Sequence, residues 1–205
     1  MVRPLAVINA VHSALRADMA AIDAAALAVA QGDTRAERAI ERFQRMDEVL
    51  RWHAEGEEAS IFPAIETVAP AVVPAYEIDH RGLDEAFETL RAAVGARHPL
   101  DTARATAAFK FHLDLHLRKE DAHLYVLFED RLSETEQVTA VGGLASSVPS
   151  DRYPDFMTWL FPLLGADDRD DLLAYWHTAM PPDVYERVRR YAEPAKESDT
   201  AEESR

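Results

Sequence analysis

The sequence contains no cysteine among its 205 residues. This absence excludes disulfide bonds, thiolate-ligated zinc and iron–sulfur clusters, and it is consistent with a reducing cytosol. We therefore expect a cytoplasmic protein. Its hydrophobic content of 48% is enough to build a core, and its length fits one domain, or one domain with an appendage.

Basic side chains are also scarce, because 22 of them stand against 37 acidic ones and the formal net charge is -15. A surface this acidic repels phosphate backbones, so we expect no nucleic-acid partner. No uninterrupted apolar run approaches the roughly 20 residues that span a bilayer. The first twenty residues have the pattern of an amphipathic helix rather than of a signal peptide, and we expect no membrane partner.

Two stretches of the chain match each other without a gap. They are HAEGEEASIFPAIE at 53–66 and HLRKEDAHLYVLFE at 116–129. Each begins with His-x-x-x-Glu and continues with a second acid and apolar residues. The first stretch contains His53 and Glu57, and the second contains the corresponding residues His116 and Glu120. Positions i and i+4 share one face of a helix, so each stretch directs an imidazole and a carboxylate to the same side, where together they suit a first-row metal.

Apolar residues at helical spacing predict four long helices. Their approximate ranges are 4–30, 34–62, 72–95 and 102–132. We expect Gly32 to end the first helix, and Pro63 together with Pro70 to end the second. Short links between long helices favour antiparallel neighbours, so we predict an all-α fold, an up-down-up-down four-helix bundle with a helical carboxy-terminal extension.

The sequence after Leu132 predicts further helices. A capping box of Ser133 and Glu136 opens a fifth helix, which ends at about Ala145. Three more helical segments follow, at about 153–164, 168–180 and 181–192. We therefore predict three regions: the bundle at 1–132, an extension packed on it at 133–192, and an acidic tail at 193–205 that is disordered because it has almost no apolar residues.

All four long helices carry a histidine on their apolar face, and two of them carry a glutamate one turn later. A core that held four imidazoles and two carboxylates would be strongly destabilised without a cation. Two ions fit better than one, because helices about 8–10 Å apart hold their ligands on opposite sides of the core. With bridging glutamates and a shared oxo or hydroxo group, about two of roughly twelve coordination positions stay open to a small molecule. The mixture of imidazole and carboxylate favours iron or manganese over zinc.

A different di-iron bundle places one glutamate on each of two helices and Glu-x-x-His on each of the other two. That motif occurs at Glu77 with His80 and at Glu120 with His123. Both copies fall on the third and fourth helices rather than on alternate ones, and the first helix has no glutamate. We therefore disfavour this arrangement.

The order of one histidine, then His-x-x-x-Glu, repeated over four helices, resembles the hemerythrin-like proteins, the His–His–Glu cation-binding domain. The resemblance covers roughly Val2 to Leu132 and implies a four-helix bundle around a non-haem centre of two iron ions, with manganese the weaker choice. The ligands that it implies are His12, His53, Glu57, His80, His116 and Glu120.

The sequence departs from the oxygen-carrying members of that family on the third helix, where they have a second histidine and this chain has Asp84. Asp84 is either a seventh ligand or an acid outside the coordination sphere, and the difference favours reactivity or sensing over reversible oxygen carriage. On the fourth helix, family members also use His-x-x-x-x-Asp, which His116 and Asp121 would satisfy. The internal repeat favours Glu120 instead.

Other residues near the motifs receive weaker interpretations. We expect His112 and His123 either to contact the ligand residues or to lie at the rim of the site. Tyr76 either packs in the core or donates to a bound oxygen species. Phe62 and Tyr125 occupy equivalent positions in the repeat, and we expect both to line the site.

These observations predict a protein that binds and reacts with a small oxidant, namely oxygen, peroxide or nitric oxide, at a carboxylate- and oxo-bridged iron pair. The expected activity ranges from oxygen binding to peroxide decomposition or an oxidation, and the sequence leaves open whether the protein is an enzyme. The alternative is a non-enzymatic oxygen or iron sensor that signals through its carboxy-terminal helices, and a third reading makes the metal a structural staple. The sequence identifies no catalytic residue, and it leaves open whether the apolar extension forms a homodimer face.

Overall fold

The computed structural model describes residues 3–33 and 37–202. Every regular element in these ranges is helical and none is a strand, which confirms the all-α prediction. The α-helices are α1 Leu5–Ala30, α2 Glu37–Gly56, α3 Phe62–Glu66, α4 Val73–Gly95, α5 Pro99–Lys119, α6 Tyr125–Arg131, α7 Glu134–Ala145, α8 Tyr153–Leu160, α9 Ala166–Ala179 and α10 Pro182–Glu202. Two π-helical segments interrupt this pattern: the first π turn, Glu57–Ile61, joins α2 to α3, and the second, Glu120–Leu124, joins α5 to α6.

The chain forms two compact units. The larger unit comprises residues 16–147, and the smaller unit comprises residues 1–15 and 148–205. The division after residue 147 differs from the predicted boundary at 132, because α7 packs against α2 and the first π turn and so belongs to the larger unit.

Aromatic rings fix the helices of the larger unit that carry the candidate ligands. Phe43 of α2 stacks on Phe87 of α4 with ring centroids 4.8 Å apart, and Phe87 meets Phe109 of α5 edge-on at 4.9 Å. All three rings are buried. Burial of each such side chain contributes about 1.5–3 kcal/mol, so this row of rings holds α2, α4 and α5 in place.

Local sequence signals account for several helix ends. Gly32 has a φ of 97°, which glycine adopts without strain, and it follows α1 as predicted. The predicted capping box opens α7, because the Ser133 N–H donates to Glu136 Oε2 at 2.8 Å and the Glu136 N–H donates to Ser133 Oγ. The predicted start of the second helix near Thr34 lies outside the described residues.

Pro63 does not end the second helix, contrary to the prediction. It lies in the first turn of α3, directly after the first π turn, and the helix continues to Glu66. A proline is tolerated in the first turn of a helix, where its missing N–H has no partner to lose.

The smaller unit is built from the carboxy-terminal helices. Phe161 and Trp176 are buried and meet edge-on with centroids 6.1 Å apart, while α10 packs against α8 and α9. We predicted that the last helix ends near Ala192, but α10 continues to Glu202, into the segment expected to be disordered. Residues 203–205 of that segment lie outside the described residues.

The first helix is more apolar than we expected. Within the described part of the chain, α1 alone is long and apolar enough, by length and composition, to cross a membrane. The most apolar window of α1 is 67% buried inside the protein, and its charged Asp18 is fully buried. Its Asp18 Oδ1 lies 2.6 Å from Arg42 of α2, so α1 has the burial and polar contacts of a core helix.

Candidate metal centre

Four buried side chains from four elements of the larger unit, the two π turns, α4 and α5, converge at one place. They are Glu57, His80, His116 and Glu120, and one ligand atom from each lies within 4.8 Å of the others. Both glutamates are 0% exposed, and the two histidines are 4% and 6% exposed. A dry group of two acids and two imidazoles has the donor types and the spacing of a metal site.

His53 extends this group on the side of α2. One atom each of His53, Glu57 and Glu120 lies within 4.8 Å of the others, and His53 is 7% exposed. Five of the six predicted ligands therefore come together in the larger unit. His12 is completely buried on α1, in the part of that helix that belongs to the smaller unit.

Asp84, considered above as a seventh ligand, lies outside this convergence. It is exposed on α4, one turn after His80, and borders the cavity described below. Because its carboxylate is solvated, Asp84 does not share the buried environment of the glutamates.

The repeat predicted from the sequence is visible in the geometry. His53 Nε2 lies 3.4 Å from Glu57 Oε1, and His116 Nε2 lies 3.2 Å from Glu120 Oε1. Each histidine is thus stacked one turn before its glutamate, as the i, i+4 spacing requires. The two motifs present the same pair of ligand atoms from two helices.

Both glutamates are the first residue of a π-helical turn. A π turn is rare, widens the helix by one residue and occurs frequently at functional sites. In both turns the fifth residue is buried and is followed by a second buried residue, Ile61 with Phe62 and Leu124 with Tyr125. We did not predict these turns, although the adjacent buried pairs, which break the 3.6-residue spacing, are a sequence signal for them.

The hydroxyl of Tyr76 holds the second π turn from outside. It donates to the Lys119 carbonyl at 3.2 Å and accepts from the Leu124 backbone N–H. These two backbone groups are five residues apart, which is the spacing of a π-helical hydrogen bond. The Tyr76 hydroxyl therefore bridges the two backbone groups at the ends of the second π turn, which begins with Glu120. Burial, followed by the charges of Glu120 and Asp79, raises the pKa of Tyr76 to about 12.

The first π turn is held by α7 instead. A Cβ on Gly143 would lie 2.8 Å from Ser60 Cβ, and a Cβ on Gly56 would lie 3.0 Å from the Leu144 carbonyl oxygen. Because both residues are glycines, the backbone of α7 can lie close to the end of α2 and to the first π turn, and a larger side chain at either position would prevent this. Ser147, just after α7, donates to the Trp52 carbonyl at 2.6 Å and adds a polar contact to α2.

Glu58 orients His80 from the solvent side. His80 Nδ1 lies 2.8 Å from Glu58 Oε1, and because a carboxylate can only accept, Nδ1 carries a proton and donates it. The other nitrogen, Nε2, then faces the site, 3.4 Å from Glu57 Oε2 and 3.7 Å from Glu120 Oε1. A carboxylate that fixes the tautomer of a ligating histidine is a regular feature of metal sites. The sequence reading aligned Glu58 in the repeat but did not assign it this contact.

The repeat partner of Glu58 has a different contact. Asp121 Oδ2 lies 2.5 Å from Arg16 of α1, and both side chains are about one third exposed. Asp121 therefore points to a guanidinium at the surface, whereas Glu120 points into the buried group. This placement favours Glu120 over Asp121 as the fourth-helix ligand, in agreement with the internal repeat.

The buried carboxylates attract positive charge. Burial alone would lower the pKa of His80, but hydrogen bonds with Glu120 and Glu57 and the charge of Glu57 raise it to about 11. Tyr125 is buried and donates its hydroxyl to Glu57 Oε1; its burial and the neighbouring carboxylates raise its pKa well above 10. Both shifts indicate a site whose acids need protons or a cation.

The remaining histidines of the fourth-helix region lie outside the group. His112 and His123 are exposed, as the rim interpretation anticipated, and Glu77 is exposed as well. Because Glu77 and His123 point to solvent, the structure does not form the alternative arrangement with two Glu-x-x-His motifs.

A cavity of about 450 Å³ between α2, α4 and α5 reaches the ligand group. His53, Glu57, His80 and His116 border its buried end. Phe87, Phe109 and Leu113 supply apolar walls, and charged exposed residues surround its solvent end. The cavity therefore gives a small molecule access to the side chains that would hold a metal.

The donor set fits a metal ion of the iron type. Imidazole and carboxylate, without thiolate, suit iron and manganese, and the buried acids would each gain a cationic partner on metal binding. The fit rests on side chains that are already buried and mutually close before any ion is considered.

Comparison with known proteins agrees with this reading. The family model described as the hemerythrin HHE cation binding domain matches residues 3–78. That range includes the motif of α2 and ends two residues before His80, so the second half of the site rests on the internal repeat and on the geometry.

Three curated proteins of Arabidopsis thaliana are similar in sequence. Zinc finger protein BRUTUS is 24% identical over 180 residues, which cover 83% of this chain, and two BRUTUS-like zinc finger proteins are 23% and 22% identical over 77% and 83% of it. The matched part is 14% of the length of each relative, so this chain resembles only a segment of those proteins. No solved structure gives a significant match. Residues 3–78 of the chain are thus similar to the hemerythrin HHE cation binding domain, and this matched range contains the buried His12, His53 and Glu57.

Proposed function

We propose that the protein holds two iron ions without haem and reacts there with a small oxidant, namely oxygen, peroxide or nitric oxide. The observation that carries this proposal is the convergence of two fully buried carboxylates with three buried histidines. An uncompensated buried carboxylate costs several kcal/mol, so a chain that buries two of them side by side is adapted to a cation.

The position of Glu57 supports two ions rather than one. Its Oε1 lies 3.4 Å from His53 Nε2, and its Oε2 lies 3.4 Å from His80 Nε2. The two oxygens of one carboxylate thus face histidines of two different helices, which is the placement of a bridging ligand. Glu120 faces His116 at 3.2 Å, and His12, buried on α1 at the motif position, completes the proposed set of six. An up-down-up-down order of the long helices is part of this proposal.

Residues around the ligands have distinct roles in this function. Bound iron would supply the electrons for reaction with the oxidant. Glu58 fixes the His80 tautomer, and Tyr125 fixes the Glu57 carboxylate through a buried hydrogen bond. The apolar walls of the cavity exclude water from the buried end while leaving a path for a small molecule.

A binding or sensing module is the second candidate. It is favoured by the close approach of α7 to the first π turn, because a shift of Glu57 on metal or oxidant binding would press on α7 through Ser60 and Gly143. In that case binding changes the shape of the protein without turnover of the oxidant.

Metal analysis with optical spectroscopy, before and after addition of oxygen or peroxide, tests these proposals. We expect two equivalents of iron and an iron-dependent band in the near ultraviolet, both lost in His53→Ala. The matched control is His112→Ala, which removes an exposed histidine of α5 and should change neither. Catalytic consumption of peroxide supports the enzyme, and a conformational change without consumption supports the sensor. Failure of the wild type to take up iron contradicts both.

A further inference from the structure

The cavity beside the ligand group is larger than a small oxidant needs. A water molecule occupies about 30 Å³ of liquid, and dioxygen or peroxide is of similar size. The cavity measures about 450 Å³, which lies within the range of about 300–1,000 Å³ that is typical of sites for organic ligands. Its volume therefore leaves room for a second, organic molecule.

The walls of the cavity are apolar and already in place. Phe109 and Leu113 are almost fully buried, and Phe87 is 8% exposed. Phe87 is held between Phe43 and Phe109, so its ring does not need to reorganise when a ligand enters. Rigid aromatic and aliphatic walls favour a ligand with an aromatic or aliphatic body.

The solvent end of the cavity is acidic. Its lining includes the carboxylates of Asp47, Glu55, Glu58, Asp84 and Glu88. The guanidiniums of Arg51 and Arg91 are the cationic side chains at this solvent end, and Arg91 is engaged by Asp47 at 3.0 Å and by Glu88. An excess of carboxylates at an entrance attracts cations and disfavours anions.

We propose that this cavity binds a small organic amine, with its apolar body against Phe87, Phe109 and Leu113 and its ammonium group at the acidic entrance. The proposal deepens the proposed function and rests on it for the role of the bound molecule, which would lie beside the iron ligands as a second reactant. The binding itself follows from the walls and the charge of the larger unit alone.

Three probes of nearly equal shape separate the contributions of charge and of apolar contact. Benzylamine, benzyl alcohol and benzoate are titrated calorimetrically into the full-length protein, once loaded with iron and once treated with chelator. We expect benzylamine to bind at least about ten-fold more tightly than benzoate, with benzyl alcohol between them. The preference should weaken at high salt, because the entrance is exposed to solvent.

Two tryptophan substitutions on the same helix locate the binding. Leu113→Trp places a large ring in the cavity and should weaken benzylamine binding at least about ten-fold. Leu115→Trp is the matched control, because Leu115 is 57% exposed and does not line the cavity. If Leu113→Trp does not fold, Leu83→Trp, at a half-buried wall position, takes its place.

The outcomes are distinct. Benzoate binding as tightly as benzylamine overturns the assignment of an amine, and unchanged binding in Leu113→Trp or Leu83→Trp overturns the location. Absence of binding for all three probes at about 10 mM overturns the pocket itself. Iron analysis is run on the same samples, so loss of iron uptake with probe binding retained contradicts the proposed function and leaves the pocket.

Discussion

At the scale of single residues, the site depends on side chains that touch the ligands as well as on the ligands themselves. Glu58 is half exposed, yet it holds the proton of His80 on the nitrogen that faces away from the site. Tyr125 is buried and donates to Glu57. The exposed Glu58 thus orients His80, and the buried Tyr125 orients the Glu57 carboxylate, in positions that suit a cation.

Replacement of Glu58 tests this preparation. We expect Glu58→Ala to weaken iron affinity by about ten- to hundred-fold, because the His80 ring loses the partner that fixes its tautomer and orientation. Chelator competition measures the change. Glu55→Ala, which removes an exposed glutamate three residues earlier, is the control and should bind iron as the wild type does. Equal affinity in both variants would show that Glu58 has no such role.

The raised pKa of His80 predicts a pH dependence of the metal-free protein. The folded-state pKa of about 11 exceeds the ordinary value of 6.5, so the stabilisation is complete below about pH 6.5 and is lost as the pH rises towards 11. The loss should be about 1.5–3 kcal/mol, the value of a charge-assisted hydrogen bond. Urea unfolding at several pH values measures it. A His80→Gln variant should lack this component, and an identical pH profile in the variant would refute the assignment to His80.

At the scale of helical elements, the two π turns are supported differently. The second receives the hydroxyl of Tyr76 from α4, while the first lies against the backbone of α7. The two halves of the repeat therefore have the same histidine and glutamate, but the residues that contact their π turns differ.

Removal of the Tyr76 hydroxyl should loosen the second π turn. In Tyr76→Phe the Lys119 carbonyl and the Leu124 N–H lose their shared partner, so Glu120 is held less firmly and iron affinity should fall about ten-fold or more. Tyr185→Phe in the smaller unit is the control. Chelator competition and hydrogen exchange of Leu124 provide the measurements. Unchanged exchange and unchanged affinity would mean that the turn needs no hydroxyl.

The contact of α7 with the first π turn makes a sharper prediction. Gly143→Ala should destabilise the protein by about 1–3 kcal/mol, because the added methyl group overlaps Ser60. Gly142→Ala, at the preceding position, meets nothing within 4 Å and should be neutral or stabilising by up to about 1 kcal/mol. Urea unfolding compares the two variants. Adding Ser60→Gly should rescue Gly143→Ala, and the contact is not as described if the two alanine variants behave alike.

Sequence reasoning succeeded where the pattern was long and duplicated. Helix periodicity predicted the four long helices, and His-x-x-x-Glu predicted that His53 and His116 stack on Glu57 and Glu120. It failed where a contact depends on residues distant in sequence. Nothing local to Tyr76 shows that its hydroxyl meets Lys119, 43 residues away. Pro63 was misread because its effect depends on the π turn before it.

At the scale of the whole molecule, a net charge of -15 surrounds a site built for cations. A negative surface raises the local concentration of divalent ions and favours their capture. The same charge works against compactness through self-repulsion, so cations bound at the proposed site would also stabilise the folded protein.

Removal of the metal should therefore lower the stability of the protein. A ligand at one hundred times its dissociation constant adds about 2.7 kcal/mol per site, so chelation should cost several kcal/mol in free energy of unfolding. Thermal unfolding of chelated and reloaded samples measures this difference. His112→Ala should keep the gain on reloading and His53→Ala should lose it. A chelated wild type as heat-resistant as the reloaded one would contradict the prediction.

The paired π turns bear on how this chain is compared with others. A π turn takes up one extra residue within a helix, so an alignment with an uninterrupted α-helix needs a one-residue gap near each of the two buried glutamates. The two halves of this chain align with each other without any gap, and both carry the extra residue at the same place. The correspondence between the two halves therefore extends from the paired histidine and glutamate to the local helix geometry.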